Sequence, residues 1–146
     1  MYLRLQLEGD LHETLEFIPL AVRRKLDLAG LKLSLAAWTA MPRAERLAVC
    51  HLPVDGEGDL DVYRAALTGF AERAGHPVAA LEGGPIDRAA WGPERIPQAI
   101  AARAPNLALA QWSALSEEER YVLLKLSEAR RSPEKFNAAL RELRLS

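Results

Sequence analysis

Along the chain the hydrophobic positions change period once, near the start, and then keep helical spacing. Leu3, Leu5 and Leu7 alternate with Tyr2, Arg4 and Gln6, which predicts one short, half-buried N-terminal strand. From Ile18-Pro19 onward Val22 and Leu26 recur at the spacing of a buried helix face, and Gly30 can close the helix, so residues 19–28 are expected to be helical. Leu31 to Leu33 reads as a short apolar connector. Ser34 caps a helical turn through Trp38, and Pro42 opens a helix with Leu47 and Cys50 on its apolar face, stopped by Pro53. Leu60, Tyr63, Leu67 and Phe70 then recur at helical spacing until Gly75. Residues 76–91 have no clear period and carry Gly83, Gly84, Pro77 and Pro85, which predicts a long surface loop. Helical signals return from Ile96-Pro97 to Ala104. Ser116 and Glu119 form a capping box ahead of the apolar run from Tyr121 to Leu126, and Ser132-Pro133 starts a last helix with Phe136, Leu140 and Leu143 on one face. The expected fold is all-α, with that one strand as the exception.

The pattern also repeats. The segment Leu33 to Leu52 aligns with Leu107 to Leu126 at an offset of 74, with eight of twenty positions identical, among them Trp38/Trp112, Glu45/Glu119 and Arg46/Arg120. Upstream, Ile18-Pro19 matches Ile96-Pro97 at an offset of 78, so the second copy has the shorter link. The chain therefore reads as a duplicated helical unit, with copies at about 17–53 and 95–127. Each copy has a proline-started helix, a Leu-x-Leu-x-x-Trp segment and a Glu-Arg helix. One such unit buries its apolar side poorly alone, so the copies are expected to pack together within a single domain, 1–146. Trp38 and Trp112 are expected as core pillars, because an indole buries a large area. Glu45-Arg46 and Glu119-Arg120 are expected as helix N-terminal charge and a cross-copy ion pair.

Composition adds limits. The 146 residues are 49% hydrophobic and 27% charged, as in an ordinary globular domain that needs no disulfide or structural metal. Nineteen basic residues against twenty acidic ones give a net charge of −1, which leaves little excess for phosphate contacts. The tract Arg23-Arg24-Lys25 is read as a solvated helix face, and Arg130-Arg131 as part of a turn. No stretch is long and apolar enough for a secretory core or a membrane span, and the single Cys50 suits a reducing compartment, so a cytoplasmic protein is expected.

Candidate chemistry is sparse. His12, His51 and His76 are the only imidazoles, and neighbouring Cys50 and His51 point about 100° apart on a helix, so no metal site is expected. Cys50 reads as a small buried hydrophobe. Gly83-Gly84 lacks the Lys-Ser/Thr ending of a phosphate loop, and Gly-x-Ser-x-Gly is absent. No catalytic residue is assigned, and the expectation is a protein that is not an enzyme.

From Phe17 to Trp38 the pattern Ile18-Pro19, Val22-Arg23, Lys25-Leu26-Asp27, Gly30, Lys32-Leu33 and Trp38 resembles the nitrate reductase-associated family. The resemblance continues through Tyr63-Arg64, Trp91, Ile96-Pro97, Gln111-Trp112, Arg120, Lys125-Leu126-Ser127 and Phe136-Asn137. Two stretches depart from it: the family's acidic, phenylalanine-rich start is here Leu3 to Asp10, and its His-Glu pair after the Lys-Leu-Ser triplet is here replaced by Glu128 to Pro133. The resemblance implies a cytoplasmic accessory or maturation factor for assimilatory nitrate reductase, binding the catalytic subunit and assisting molybdenum pterin cofactor insertion. It implies no cofactor held stably by this chain itself. The polar residues set within the family-like motifs are the candidate partner surface: Lys25, Asp27, Lys32 and Arg46 in the first copy, with Arg120, Lys125, Ser127 and Asn137 in the second. The alternative is a helical regulator of nitrogen metabolism that binds DNA or a small-molecule signal.

Overall fold

A computed structural model of the chain describes residues 2–128, 131 and 133–145. These residues form two compact units, one of residues 1–2 and 10–87, the other of residues 3–9 and 88–146. The architecture is helical, with one tiny sheet among the described residues.

In the first unit a single turn, α1 (Leu11–Thr14), ends at Leu15, which takes a left-handed conformation (φ 53°) with its side chain buried. Pro19 then precedes α2 (Leu20–Ala29); its fixed φ suits a helix start, where no N–H partner is needed. Helix α2 is buried almost all round, leaving only Arg23 and Asp27, one turn apart, partly exposed. Gly30 ends it in the left-handed region (φ 72°). The expected connector is instead a strand, β1 (Leu31–Lys32). It pairs antiparallel with β2 (Ala79–Ala80), Leu31 opposite Ala80 and Lys32 opposite Ala79. Residues 76–91 are therefore not simply a surface loop: Leu81 N–H donates to the Gly30 carbonyl and Ile86 N–H to that of Asp27, both at 2.9 Å. Helix α3 (Leu35–Ala40) is capped by Ser34, whose hydroxyl accepts from Ala37 N–H at 3.0 Å. Helix α4 (Arg43–His51) follows Pro42, and α5 (Asp59–Arg73) follows the glycine-containing loop 53–58. Helix α2 packs on α4 and α5, which also pack on each other, around Val22, Leu26, Trp38, Val49, Tyr63 and Leu67. Leu47, expected on the apolar face of α4, is exposed; Val49 and Cys50 fill that face.

The second unit begins where the strand was expected. Residues 2–5 take no regular structure and Gln6–Glu8 form a 3-10 turn, with Leu5 alone of the three leucines buried. Among the described residues no strand pairs with this segment; the N–H groups of Gln6 and Leu7 donate to the two carboxylate oxygens of Glu142, at 2.8 and 3.1 Å. A second 3-10 turn, Arg88–Trp91, leads to α6 (Gln98–Arg103) behind Pro97, then α7 (Leu109–Ala114), α8 (Glu117–Leu126) and α9 (Pro133–Glu142). The expected capping box is present: Ser116 Oγ accepts from Glu119 N–H at 3.1 Å and Glu119 Oε1 from Ser116 N–H at 2.8 Å. Helix α8 packs on α9, α6 and the 88–91 turn, around Trp91, Ile100, Trp112, Tyr121, Leu123 and Phe136. Arg130 and Ser132 lie outside the described residues.

Candidate functional site

In both units a cation reaches backbone carbonyls that a helix or turn leaves without an internal partner. Trp38 Nε1 and Arg46 Nη1 both donate to the Leu15 carbonyl, at 2.8 and 2.9 Å. In the second unit Trp112 Nε1 donates to the Gly92 carbonyl at 2.8 Å, while Arg120 donates through Nε to the Trp91 carbonyl (2.7 Å) and through Nη1 to that of Leu115 (2.5 Å). Each tryptophan, fully buried as expected, thus works with the arginine eight residues on to fix the segment ahead of an Ile-Pro helix. Arg46 and Arg120 each make these bonds within their own unit. Glu45 sits 3.5 Å from Arg73, and Glu119 is held in the capping box.

Arg64 Nε extends the scheme, donating to the Ala29 carbonyl at the end of α2 at 2.8 Å. So does Lys25: its Nζ donates to the carbonyls of Cys50 and Leu52, both at 2.6 Å, and a cation is favoured at this negative end of α4. Lys25 is buried, as is Arg24 beside it, so the basic tract is not a solvated face. Spacing along α2 already sets Lys25 beside Val22 and Leu26, but the carbonyls that accept its charge reach it only when α4 packs on α2.

Beside these two cations lies an open cavity of about 260 Å³, lined also by Tyr2, His51 and the loop residues Pro53, Val54 and Asp55. Arg24, only 2% exposed, presents Nη1 and Nη2 to the two carboxylate oxygens of Asp55 at 3.3 and 3.4 Å; Asp55 is 45% exposed. The Tyr2 ring meets His12 edge-on at 5.3 Å and lies tilted over His51 at 4.8 Å, and Tyr2 Oη shares a 2.8 Å hydrogen bond with His12 Nδ1. Below them, burial pushes the Cys50 thiol up from its ordinary value, against the lowering effects of a Tyr2 hydrogen bond and of Lys25 and Arg43. Burial likewise raises the Tyr63 phenol, which donates to the Val49 carbonyl at 3.0 Å. Among the described residues no group of three or more metal-ligating side chains converges.

A family model described as conserved nitrate reductase-associated protein matches residues 4–143. The chain belongs to that family. Neither a curated protein nor a solved structure gave a match. The nitrate reductase-associated family's motif residues can now be placed. Lys25, Arg120 and Ser127 are buried, with Ser127 Oγ donating to the Leu124 carbonyl at 2.6 Å. Arg46 is half-buried on Leu15. Lys125 is half-buried, 3.2 Å from Glu128, and Asp27 is half-buried on α2. Lys32 and Asn137 are exposed. Of the eight candidates three are thus buried, three are half-buried and two are exposed. Lys25 alone belongs to the cavity, whose Tyr2, Arg24, His51 and Asp55 went unremarked as a site because no local spacing joins them.

Proposed function

We propose that this chain is an accessory factor of cytoplasmic assimilatory nitrate reductase. It binds the catalytic subunit and assists assembly of that enzyme with its molybdenum pterin cofactor, without retaining the cofactor. The observation that carries this reading is the family match over residues 4–143. The structure lends support of two kinds. Motif arginines that could have clamped a substrate, Arg46 and Arg120, instead hold backbone carbonyls. Leu35 and Leu109, equivalent in the sequence repeat and each the first residue of its helix, stay 47% and 50% exposed, apolar side chains left over for a protein partner. No helix among the described residues is long and apolar enough to cross a membrane.

The test is a pull-down of the tagged chain with the nitrate reductase of the same cell, with reductase activity and molybdenum content measured in its presence and absence. A complex together with molybdenum-poor, inactive reductase in the deletion strain is expected. Normal molybdenum and activity without the chain would sink the maturation role. A small-molecule regulator is the second reading, favoured over a DNA-binding one by the cavity at Arg24 and by the burial of two of the three cations in the basic tract.

A further inference from the structure

Helix α5 (Asp59–Arg73) is the longest of the described helices, and it serves the first unit with one side only: Tyr63, Leu67 and Ala71 are buried where α5 meets α2 and α4. Away from that side, Val62, Ala65, Ala66, Gly69 and Arg73 fall at i, i+3, i+4, i+7 and i+11, a continuous stripe along the helix. Val62 is 61% exposed, Ala65 is exposed, and Ala66 and Gly69 are half-buried. The apolar part of the stripe thus faces solvent at its N-terminal half, over two turns of a helix that is otherwise packed.

Gly69 adds an independent observation. A glycine inside a helix destabilises it relative to alanine. Packing within the chain does not call for one here: a Cβ at Gly69 would meet no other element within 4 Å, only Arg73 Nη1 of the same helix at 3.4 Å. Its bare backbone permits a close approach from outside. With Ala65 and Ala66 beside it, a second helix can lie at the short end of the usual separation of roughly 8–10 Å between packed helices.

The charges select which helix that is. Asp59 stands at one end of the stripe and Arg73 at the other, each seven residues from Ala66 and so close to two turns away from it. A second α5 laid antiparallel, with the twofold axis at Ala66, sets Asp59 of each copy opposite Arg73 of the other and Val62 opposite Phe70. It also opposes the two helix dipoles. Within the chain, Asp59 accepts from Gly56 N–H at 2.7 Å, and Arg73 lies 3.5 Å from Glu45 and 5.4 Å over the Phe70 ring. A carboxylate and a guanidinium each make several hydrogen bonds, so these contacts leave room for a further one. Arg73 is 64% exposed, and neighbouring Glu72 sits about 100° round the helix, off the stripe.

We propose that α5 is a dimerisation helix, its Val62–Arg73 stripe packing antiparallel on the same stripe of a second copy of this chain, with an Asp59–Arg73 pair at each end. Twofold pairing through one self-complementary patch is the commonest form of association between identical chains. The stripe contains neither Leu35 nor Leu109, so dimerisation and reductase binding can fail independently of each other.

The experiment is sedimentation equilibrium of the full chain over a range of concentrations, with circular dichroism confirming the fold of each variant. The wild type should pass from 16.1 kDa to twice that mass. Gly69→Leu, at a position open within the chain, should weaken the dimer by about tenfold or more, and Val62→Ser, at a side chain the fold does not bury, should weaken it too. Arg73→Glu and Asp59→Lys each turn two attractions into two repulsions, and each alone should weaken the dimer by about tenfold. Mixed in equal amounts, these two charge variants restore both pairs, and the mixture should dimerise more tightly than either variant alone. A wild type still monomeric at about 1 mM, the weak limit of useful association, overturns the proposal. A dimer unchanged in folded Gly69→Leu or Val62→Ser overturns the α5 face, and a mixture no tighter than its components overturns the antiparallel register.

Discussion

Replacing Gly30 with alanine probes the closest backbone approach in the first unit. Gly30 ends α2 at φ 72°, and a Cβ there would lie 2.8 Å from both Cγ and the backbone nitrogen of Pro85 and 2.9 Å from its Cδ. The 79–86 segment cannot simply back away, because Leu81 N–H and Ile86 N–H are bonded to the Gly30 and Asp27 carbonyls on either side of the contact. Two costs add: about 1–2 kcal/mol for a side chain in the left-handed region, and about 1–3 kcal/mol for overpacking against atoms that cannot yield. The sum is about 2–5 kcal/mol, or a fall of roughly 6–15 °C in melting temperature at about 3 °C per kcal/mol for a chain of this size. The assay is thermal and urea unfolding followed by circular dichroism. Gly75→Ala and Gly83→Ala are the controls, since both positions have positive φ (82° and 85°) but open space around the added Cβ. They should lose only the conformational part, and Pro85→Ala placed on Gly30→Ala should recover some of the remainder by removing Cγ and Cδ. If Gly30→Ala costs no more than the two controls, the contact with Pro85 does not govern this turn and the reasoning is wrong.

Three further outcomes are expected. Arg120→Met, which leaves the Trp91 and Leu115 carbonyls without their cation, should cost about 3 kcal/mol in urea unfolding; a loss below about 1 kcal/mol would show that these bonds matter little. Ser116→Ala should cost about 1 kcal/mol through its cap, and Glu119→Ala on the same background should add less than it does alone, because the two bonds are reciprocal. At alkaline pH, Cys50 and Tyr63 hold their protons more tightly folded than unfolded. Their contribution is whole below their ordinary values of 9.0 and 10.0 and is lost as pH rises beyond these toward the raised folded values. Stability measured from pH 8 to 11 should therefore fall, and fall less steeply in Tyr63→Phe; equal slopes would refute the buried phenol's part.

Helix starts and stops were legible because they rest on local chemistry. Pro19, Pro42 and Pro97 precede helices, Gly30 ends one, and Ser34 and Ser116 cap two, each by a bond or a dihedral that a few neighbouring residues decide. The burial of Trp38 and Trp112 was legible too, since an indole at helical spacing among leucines has much to gain from leaving water. The N-terminal leucines show the limit: alternation is necessary for a strand but a partner strand makes one, and the N–H groups of Gln6 and Leu7 found Glu142, over a hundred residues away. In the same way Leu31 and Lys32 looked like a connector until Ala79 and Ala80 supplied the other half of a ladder.

The polar residues divide along the same line. A lysine or arginine in sequence reads as solvated, because burying an unpaired charge is costly. Lys25, Arg120 and Arg24 are buried nonetheless, because the tertiary fold brings helix-end carbonyls or a carboxylate within reach of each. The order of helices, their caps and the matching Trp-Arg segments follow from residues close together in the chain, where sequence spacing fixes distance. Which cations are internal locks, which leucines stay exposed, and that Tyr2, Arg24, His51 and Asp55 share one cavity were decided only by the packing of α2 on α4 and by the course of the chain around them, since groups up to 53 residues apart become neighbours by folding alone.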